Sequence, residues 1–170
     1  DLCRKLKIQF YRGSENDVLK RVVEAGRAVS AEVVVRTTAD CPLVDWRIVD
    51  HLIKLYRSGD YDYVSNVIER SFPLGFDVEV FSFKKLQEIE KTATEHVYRE
   101  HPPNYFYTHP KKFRLKNWKA RGKMHWPDLR VTLDTQEDYV VLEKIFEKLH
   151  PFNPDFSAED VVELLHQHPE

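Results

Sequence analysis

Two aspartates stand where an α/β protein places its ligand-binding side chains. Asp40 belongs to the loop RTTADCP, which follows the apolar segment EVVVR, and Asp134 ends the segment RVTLD just before a capped helix. Ligands of open α/β sheets bind beyond the carboxyl ends of the strands, so both carboxylates share one crevice if their strands are neighbours. Mg²⁺ suits this pair, because it binds through one or two carboxylates together with substrate phosphates. Alternatively, each aspartate only stabilises a turn or caps a helix.

The elements that position these residues alternate between strand and helix. The expected strands are Ile8–Tyr11, Glu32–Arg36, Tyr61–Asn66, Asp77–Phe83, Phe113–Trp118 and Leu129–Leu133. Helices are expected after the capping residues Ser14 and Asp45, and over Lys84–Thr94, Thr135–Leu149 and Ser157–His166. The segment Glu32–Arg36 is typical of a parallel strand that is covered on both faces. The alternation predicts βαβ units and a mostly parallel sheet, in a single α/β domain over residues 1–170.

Composition excludes several classes of site and protein. The chain has five glycines, the closest two of them thirteen positions apart, which excludes both GxGxxG and GxxxxGK[ST] phosphate loops. Its two cysteines, Cys3 and Cys41, can form neither a disulfide framework nor a cysteine-based zinc site, so a reducing, cytoplasmic location is expected. No apolar run approaches the roughly 18 residues of a membrane span and no signal peptide is evident, so no membrane association is expected.

Basic side chains are concentrated in one segment. Residues 111–133 carry eight basic side chains and one acidic side chain, with Phe113, Trp118 and Trp126 interleaved. This pattern is compatible with a face that binds anions or nucleic acid. We favour the simpler interpretation, a solvated edge strand, where lysines prevent edge-to-edge pairing. The net charge of −2 argues against a protein that coats nucleic acid, so no nucleic-acid partner is expected.

Five segments in a fixed order resemble one known family. They are FYRGSENDVLKR (10–21), VVVRTTADCPLVD (33–45), YVSN (63–66) with PLGFDVEVFS (73–82), REHPPNYFY (99–107) and LRVTLDTQEDY (129–139). Together they resemble the spore-coat-polysaccharide branch of the cytidylyltransferases, which are relatives of CMP-N-acetylneuraminate and CMP-Kdo synthetases. The resemblance extends from about residue 7 to about residue 149 and therefore covers most of the chain.

The resemblance implies a fold and a reaction. The fold would be the three-layer sandwich of nucleotide-diphospho-sugar transferases. The hydroxyl of an acidic sugar would attack the α-phosphorus of CTP, giving a CMP-sugar for cell-surface polysaccharide biosynthesis and releasing pyrophosphate. The residues matching the family's catalytic metal ligands are Asp40 and Asp134, which would hold Mg²⁺. A bound cation stabilises charge that develops on the phosphoryl oxygens.

Other positions match the family with weaker implied roles. The positions implied to bind the nucleotide are Arg12, Ser14, Arg21 and Arg36, and those implied to bind the sugar are Asp77, Glu79, Arg99 and His101. Each has an alternative. Ser14 can simply cap a helix together with Asp17, and Arg36 can pair with Asp40 instead of a phosphate. The two acidic residues can lie on the exposed face of a strand, and the histidine can be structural.

The chain departs from the family pattern in ways that leave the sugar open. Pro102 and Pro103 follow REH where the family usually has VT, and Gln136 and Leu74 replace a proline and an acidic residue. The family also opens with a glycine-containing phosphate loop, which nothing here matches. We therefore expect the chain to correspond to the C-terminal two-thirds of such an enzyme, and on its own to bind CTP poorly and turn over slowly.

Two competing functions remain at this stage. A glycosyltransferase of the same fold would use a D-x-D motif, which occurs here as Asp60-Tyr61-Asp62. A non-catalytic module that has lost its nucleotide loop would keep only an assembly role. Relatives of the family dimerise through the middle of the chain, so residues 99–126, which contain Trp118, are expected to form a dimerisation or substrate-binding region of a homodimer.

Overall fold

The computed structural model describes residues 2–168. Their helices are α1 (Leu2–Lys5), α2 (Val18–Ala28), α3 (Trp46–Ser58), α4 (Phe83–Thr92), α5 (His96–Glu100), α6 (Asn104–Thr108), α7 (Gln136–Leu149) and α8 (Ala158–Gln167). Their strands are β1 (Val33–Arg36), β2 (Tyr63–Ser65), β3 (Glu79–Ser82) and β4 (Leu115–Asn117), and a 3-10 turn spans Gly122–Met124. The longest of these helices, α7, has 14 residues, and no helix in the described part of the chain is long and apolar enough to span a bilayer.

The described strands form one four-stranded sheet in the order β1-β3-β2-β4. Strands β2 and β4 run parallel, with Tyr63 opposite Leu115 and Ser65 opposite Asn117. This mixed α/β architecture confirms the predicted fold class. The expectation that β1 is covered on both faces is wrong. Val33 and Val35 are 39% and 40% exposed, because in the described sheet β1 is an outer strand with one open face.

Three predicted elements differ from the structure. Residues 8–11 form no strand, since none of the described strands pairs with them. Among the described residues, the segment 129–133 makes only one parallel bridge, from Arg130 to Leu74. Further along this segment, the Leu133 N–H donates to the carbonyl oxygen of Asp40, which lies outside the strands. Helix α2 begins at Val18 and not at Ser14, because the side chain of Asp17 caps it by accepting the Lys20 N–H at 2.9 Å.

The described residues divide into two compact units. Unit 1 contains the described residues up to Val34 together with Phe81–Phe113. In this unit α2 packs on α4 and α5. A Cβ atom at Gly26 would lie 2.2 Å from the Phe83 ring, so only glycine allows α2 to approach so closely. The ring of Phe106 packs between Phe81 and Phe113, at centroid distances of 5.4 and 4.8 Å.

Unit 2 contains Val35–Val80 and the described residues from Arg114 onward. Its core is built from apolar faces of α3, α7 and α8 and from strand residues; buried members include Leu52, Val64, Phe76, Val78, Ile145 and Val161. The three caps predicted for helices of this unit are present. Asp45 caps α3, and the pairs Thr135–Asp138 and Ser157–Asp160 form capping boxes at α7 and α8.

Candidate functional site

The segments that carry Asp40 and Asp134 are joined by a hydrogen bond in unit 2. The backbone N–H of Leu133 donates to the carbonyl oxygen of Asp40 at 2.8 Å. Asp134 follows Leu133 directly, so the loop after β1 and the segment before α7 lie side by side. The two aspartates do not follow neighbouring strands, as the sequence argument assumed, because residues 129–133 contribute one bridge and no strand to the sheet. A direct bond between the segments brings them together instead.

The carboxylate of Asp134 is fixed through one of its oxygens. Its Oδ2 accepts hydrogen bonds from Thr132 Oγ1 at 2.6 Å and from the Arg130 guanidinium at 2.9 Å. Arg130 also donates to Asp138 Oδ1 at 2.6 Å. The other Asp138 oxygen accepts the backbone N–H groups of Asp134 and Thr135, and the first of these bonds contributes most to lowering the Asp138 pKa. Asp134 Oδ1 has no hydrogen-bond partner among residues 2–168, so it is available to a ligand.

The side chain of Asp40 is exposed and lies beside a buried thiol. The Cys41 Sγ is 3.8 Å from Asp40 Oδ1 and 3.2 Å from Thr38 Oγ1. Burial raises the pKa of the Cys41 thiol, and the charges of Asp40 and Asp77 raise it further. The thiol therefore stays protonated near neutral pH and is a poor nucleophile.

Asp77, a predicted sugar contact, forms a two-pronged ion pair. The Arg70 guanidinium donates to both Asp77 carboxylate oxygens, at 2.9 and 2.8 Å. This pairing raises the pKa of Arg70 and holds the Asp77 carboxylate in one plane. Sequence reasoning did not find Arg70 or Arg130. The signals were the short spacing from an aspartate, seven residues before Asp77 and four before Asp134, and for Arg130 its place within the matched segment 129–139.

Glu79 and Arg36, two further predicted contacts, form one buried cluster with Tyr63. Glu79 is 5% exposed. Its Oε2 accepts a 2.6 Å hydrogen bond from the Arg36 guanidinium, and its Oε1 accepts one of the same length from the Tyr63 hydroxyl. Burial raises the pKa of the Glu79 carboxyl, although Arg36 and Tyr63 oppose the shift. Both carboxylate oxygens of Glu79 thus accept hydrogen bonds from the chain itself. The side chain of Arg36, in contrast, is 31% exposed to solvent.

The donor set around Asp40 and Asp134 fits a magnesium ion held partly by a substrate. No group of three or more His, Cys, Asp and Glu side chains in the described part of the chain is arranged to hold a metal ion. Two exposed carboxylates offer oxygen atoms only, which suits Mg²⁺, a cation that keeps several waters and takes its other ligands from phosphates. Such a pair does not suit zinc, whose protein sites have three or four side-chain ligands that include His nitrogen or Cys sulfur.

In unit 1, the predicted nucleotide contacts Arg12 and Ser14 lie in the turn that precedes α2, and Arg21 lies in α2 itself. Arg12 is exposed. Ser14 Oγ accepts the backbone N–H of Asp17 at 3.1 Å, and the Arg21 guanidinium donates to the Ser14 carbonyl oxygen at 2.8 Å. Ser14 therefore stabilises the turn and does not cap the helix. The Arg21 side chain, which comes from α2, thus holds the turn in place. The Arg12 side chain takes no part in these bonds.

The two predicted sugar contacts in unit 1 differ in how far they are engaged. The Arg99 guanidinium donates to both carboxylate oxygens of Asp17 and to the carbonyl oxygens of Glu90 and Ala93. These bonds tie α5 to the start of α2. The His101 side chain is half-exposed. Its backbone N–H donates to the carbonyl oxygen of Val97 and so closes the last turn of α5. Its imidazole is therefore the more accessible of the two groups.

Four of the eight cations of the basic segment, Arg130 among them, pair with acids of unit 2. Arg114 forms ion pairs with both Asp60 and Asp62, so the D-x-D motif is occupied. Lys119 pairs with Glu69 and Lys123 with Glu163. Strand β4, which lies within this segment, is an outer strand of the described sheet, as the edge-strand alternative predicted.

The tryptophans of the expected dimerisation region pack against histidines of their own unit. Trp118 stacks on His51 with a centroid distance of 4.0 Å, and Trp126 stacks on His166 at 4.2 Å. The dimerisation role of residues 99–126 stays a prediction, as does the single domain over residues 1–170.

Comparisons with known proteins agree with the geometry. The family model described as cytidylyltransferase matches residues 1–166. The chain is 34% identical over 171 residues to the Bacillus subtilis protein named spore coat polysaccharide biosynthesis protein SpsF, a match that covers 99% of this chain and 69% of that protein. It is 33% identical over 153 residues to the uncharacterized protein MJ1063 of Methanocaldococcus jannaschii, covering 88% of this chain and 62% of that one.

A solved structure extends the agreement to three dimensions. The structure of a cytidylyltransferase from Leptospira borgpetersenii matches with a TM-score of 0.93 at 27% sequence identity, over 99% of this chain and 70% of that one. This chain thus spans between 62% and 70% of the length of these relatives. The family model, the sequence relatives and the solved structure all lead to one assignment: the chain belongs to the cytidylyltransferase family of transferases.

Proposed function

We propose that this chain transfers CMP from CTP to a hydroxyl of an acidic sugar, releasing pyrophosphate, in the biosynthesis of a cell-surface polysaccharide. Membership of the cytidylyltransferase family supports the nucleotide, and the name of the Bacillus subtilis relative supports the pathway. The single observation that carries the proposal is the hydrogen bond between Leu133 and Asp40, because it joins the two carboxylate-bearing segments that match the family's metal ligands.

In this proposal Asp40 and Asp134 hold Mg²⁺. When bound, the cation neutralises phosphate charge and helps to align the α-phosphorus for in-line attack. Thr132 and Arg130 orient the Asp134 carboxylate through Oδ2, so that Oδ1 faces the ligand. Nearby, the Arg70 ion pair presents the Asp77 carboxylate for a hydrogen bond from a sugar hydroxyl.

Cationic and polar side chains of each unit would bind the anionic parts of the substrates. In unit 2, Arg36 keeps guanidinium N–H groups beyond its bond to Glu79 for a phosphate oxygen. In unit 1, Arg12 offers an exposed cation, and Arg21 holds the turn that carries it. His101 is the sugar contact that we propose for this unit. Arg99 supports that contact by fixing α5, because its own donors are bonded to Asp17 and to backbone carbonyls.

The contacts of the D-x-D motif, Asp60-Tyr61-Asp62, do not support the glycosyltransferase alternative. Asp62 is buried, and both Asp60 and Asp62 pair with Arg114, so neither carboxylate is free for a metal-bound nucleotide sugar. We further propose a homodimer and a cytoplasmic location, as expected from sequence.

The proposal is tested by measuring pyrophosphate release at high protein concentration from CTP, Mg²⁺ and a panel of acidic sugars. We expect release with CTP and an acidic sugar, little with other nucleotides or neutral sugars, and none with Asp40→Asn or Asp134→Asn. Asp50→Asn is the matched control, because Asp50 is a half-exposed carboxylate of unit 2 whose one ion-pair partner among the described residues is Lys54.

Binding supplies a second readout. One-site binding of CTP with Mg²⁺ at 100 times its Kd would stabilise the chain by about 2.7 kcal/mol, which a thermal shift detects. A chain that neither releases pyrophosphate nor is stabilised by CTP with Mg²⁺ contradicts the proposal and favours the non-catalytic module. Consumption of a UDP-sugar in place of CTP would favour the glycosyltransferase.

A further inference from the structure

Three neighbouring strands each contribute one side chain to a buried polar cluster. Arg36 ends β1, Glu79 begins β3 and Tyr63 begins β2, and these strands are adjacent in the sheet. All three residues belong to unit 2. Glu79 lies between the other two and accepts a 2.6 Å hydrogen bond from each, one on each carboxylate oxygen.

A carboxylate so deeply buried has a cost that the cluster must offset. Removing a charged group from water is unfavourable by several kcal/mol unless an opposite charge and hydrogen bonds compensate it. The guanidinium of Arg36 supplies the charge and Tyr63 supplies the second bond. Within residues 2–168 no buried side-chain polar atom is left without a partner, so this cluster is fully satisfied. Glu79 is therefore an anchor that its neighbours hold rigidly.

The hydrogen bond to Glu79 determines the orientation of the Arg36 guanidinium. One nitrogen of its guanidinium donates a hydrogen bond to Glu79, and the side chain is still 31% exposed to solvent. In the sequence, Arg36 precedes Asp40 by four residues. The remaining N–H groups of the fork have no partner among the described residues. A planar guanidinium that is fixed through one nitrogen presents its other N–H donors in a fixed direction. This geometry favours bidentate binding of a phosphate.

We infer that Glu79 is a positioning residue. Through its bond to Arg36 it fixes the guanidinium in the orientation that receives a phosphate of the nucleotide, and Tyr63 in turn fixes Glu79. This role replaces the sugar contact expected for Glu79 from sequence, and it rests on the proposed use of Arg36 in nucleotide binding.

The sign of one mutational effect separates positioning from simple electrostatics. Glu79→Gln removes a negative charge next to Arg36, so an effect of charge alone would tighten the binding of an anion. If Glu79 acts by positioning, the same variant loosens Arg36 and weakens binding. We expect CTP with Mg²⁺ to bind about tenfold more weakly to Glu79→Gln, as is typical when a residue supporting a ligand-binding group is lost.

The experiment combines side-chain NMR with CTP titrations of the full chain. The Arg36 Nε–Hε signal, assigned by its loss in Arg36→Lys, should have a high order parameter in the wild type. It should fall towards the values below about 0.6 of flexible groups in Glu79→Gln, and fall less in Tyr63→Phe, which keeps the ring and the Glu79 charge. Asp62→Asn is the matched control, since it neutralises another buried carboxylate, paired with Arg114, and should leave Arg36 rigid.

A double-mutant cycle separates the inference from the function on which it rests. In an Arg36→Lys background, Glu79→Gln should cause little further loss of CTP affinity, because both changes act through the same guanidinium. An Arg36 order parameter that is the same in the wild type, Glu79→Gln and Tyr63→Phe overturns the inference, and so does tighter CTP binding by Glu79→Gln. Unchanged CTP affinity in Arg36→Gln instead overturns the proposed nucleotide contact.

Discussion

The backbone N–H of Leu133 and the carbonyl oxygen of Asp40 form a 2.8 Å hydrogen bond between segments more than ninety residues apart in sequence. Because Asp134 is the next residue, its Cα lies only about 3.8 Å further along the chain. A bond between backbone groups does not depend on either aspartate side chain. Variants of Asp40 or Asp134 should therefore keep this arrangement and report on ligand binding rather than on folding.

Asp45 is predicted to be the most sensitive polar residue of unit 2. Its Oδ1 caps α3 by accepting the Arg47 N–H at 2.8 Å, and its Oδ2 accepts the N–H of Ala158 at 2.8 Å, at the start of α8. Asp45→Ala removes the cap and leaves a buried N–H unpaired, which together should cost about 2–4 kcal/mol of unfolding free energy. Urea unfolding measures this. Asp45→Asn, which keeps an acceptor, should cost less, and equal losses would contradict the assignment.

Gly75 and Gly122 form a matched pair of glycines with positive φ. Gly75 has a φ of +117°, and an added Cβ would meet Val131 Cγ2 at 2.8 Å and its carbonyl oxygen at 2.9 Å. Gly122 has a φ of +58° and nothing within 4 Å of an added Cβ. We expect Gly122→Ala to cost about 1 kcal/mol, the usual penalty of the left-handed region, and Gly75→Ala distinctly more. Similar unfolding free energies for both variants would contradict the close approach.

The ion pair between Asp17 and Arg99 should make the stability of the chain depend on pH in the acid range. Burial raises the pKa of the Asp17 carboxyl, but hydrogen bonds from Arg99 and from the Lys20 N–H outweigh it, so the net pKa is lowered. A carboxyl whose pKa is lower in the folded state stabilises fully above its unfolded pKa of about 3.9 and loses this contribution as the pH falls through the folded value.

Asp17→Asn tests this sign, because it keeps the helix cap and removes the charge. At neutral pH the variant should lose about 1.5–3 kcal/mol of unfolding free energy, the range for a hydrogen bond to a charged group. The difference from the wild type should stay constant down to about pH 4 and shrink below it. Glu88→Gln, in an exposed pair with Lys85, is the control and should change little. A difference that grows on acidification would show the opposite shift.

The paired cations of the basic segment predict weak binding to nucleic acid at physiological salt. Lys119 and Lys123 are neutralised by Glu69 and Glu163, which reduces the number of phosphates that the segment can contact. Anisotropy of a labelled oligonucleotide should show only weak binding by the wild type at physiological salt. The double variant Glu69→Gln, Glu163→Gln frees both lysines and should bind more strongly at low salt. Tight, salt-dependent binding by the wild type would revive the nucleic-acid interpretation.

Local signals in the sequence were sufficient for the starts of α3, α7 and α8, although not for α2, which begins at Val18 and not after Ser14. Asp45, Thr135 and Ser157 cap their helices as predicted, because a cap depends on residues within one turn. The prediction of a strand at 129–133 was wrong because strand pairing is not a local property. An alternating apolar pattern shows that one face is buried, but pairing depends on a distant segment, and here only one bridge to Leu74 forms.

The candidate site was only partly predictable on the same grounds. One family segment contains both Asp134 and Arg130, but the role of Arg130 depends on the fold that places it against Asp134 and Asp138. Glu79 has the sequence environment of a half-exposed strand residue. Its burial follows from β3 lying between β1 and β2, which no local pattern reveals.

The most direct test of the account is a Mn²⁺ titration in the presence of CTP, with free Mn²⁺ followed by electron paramagnetic resonance, on the wild type, Asp40→Asn, Asp134→Asn and the double variant. If both carboxylates hold one ion, each single variant should bind Mn²⁺ at least about tenfold more weakly, and the double variant should lose little more than either. Asp50→Asn should bind as the wild type does. Wild-type Mn²⁺ affinity in both single variants, or losses that multiply in the double variant, would show that the two aspartates do not share a metal ion.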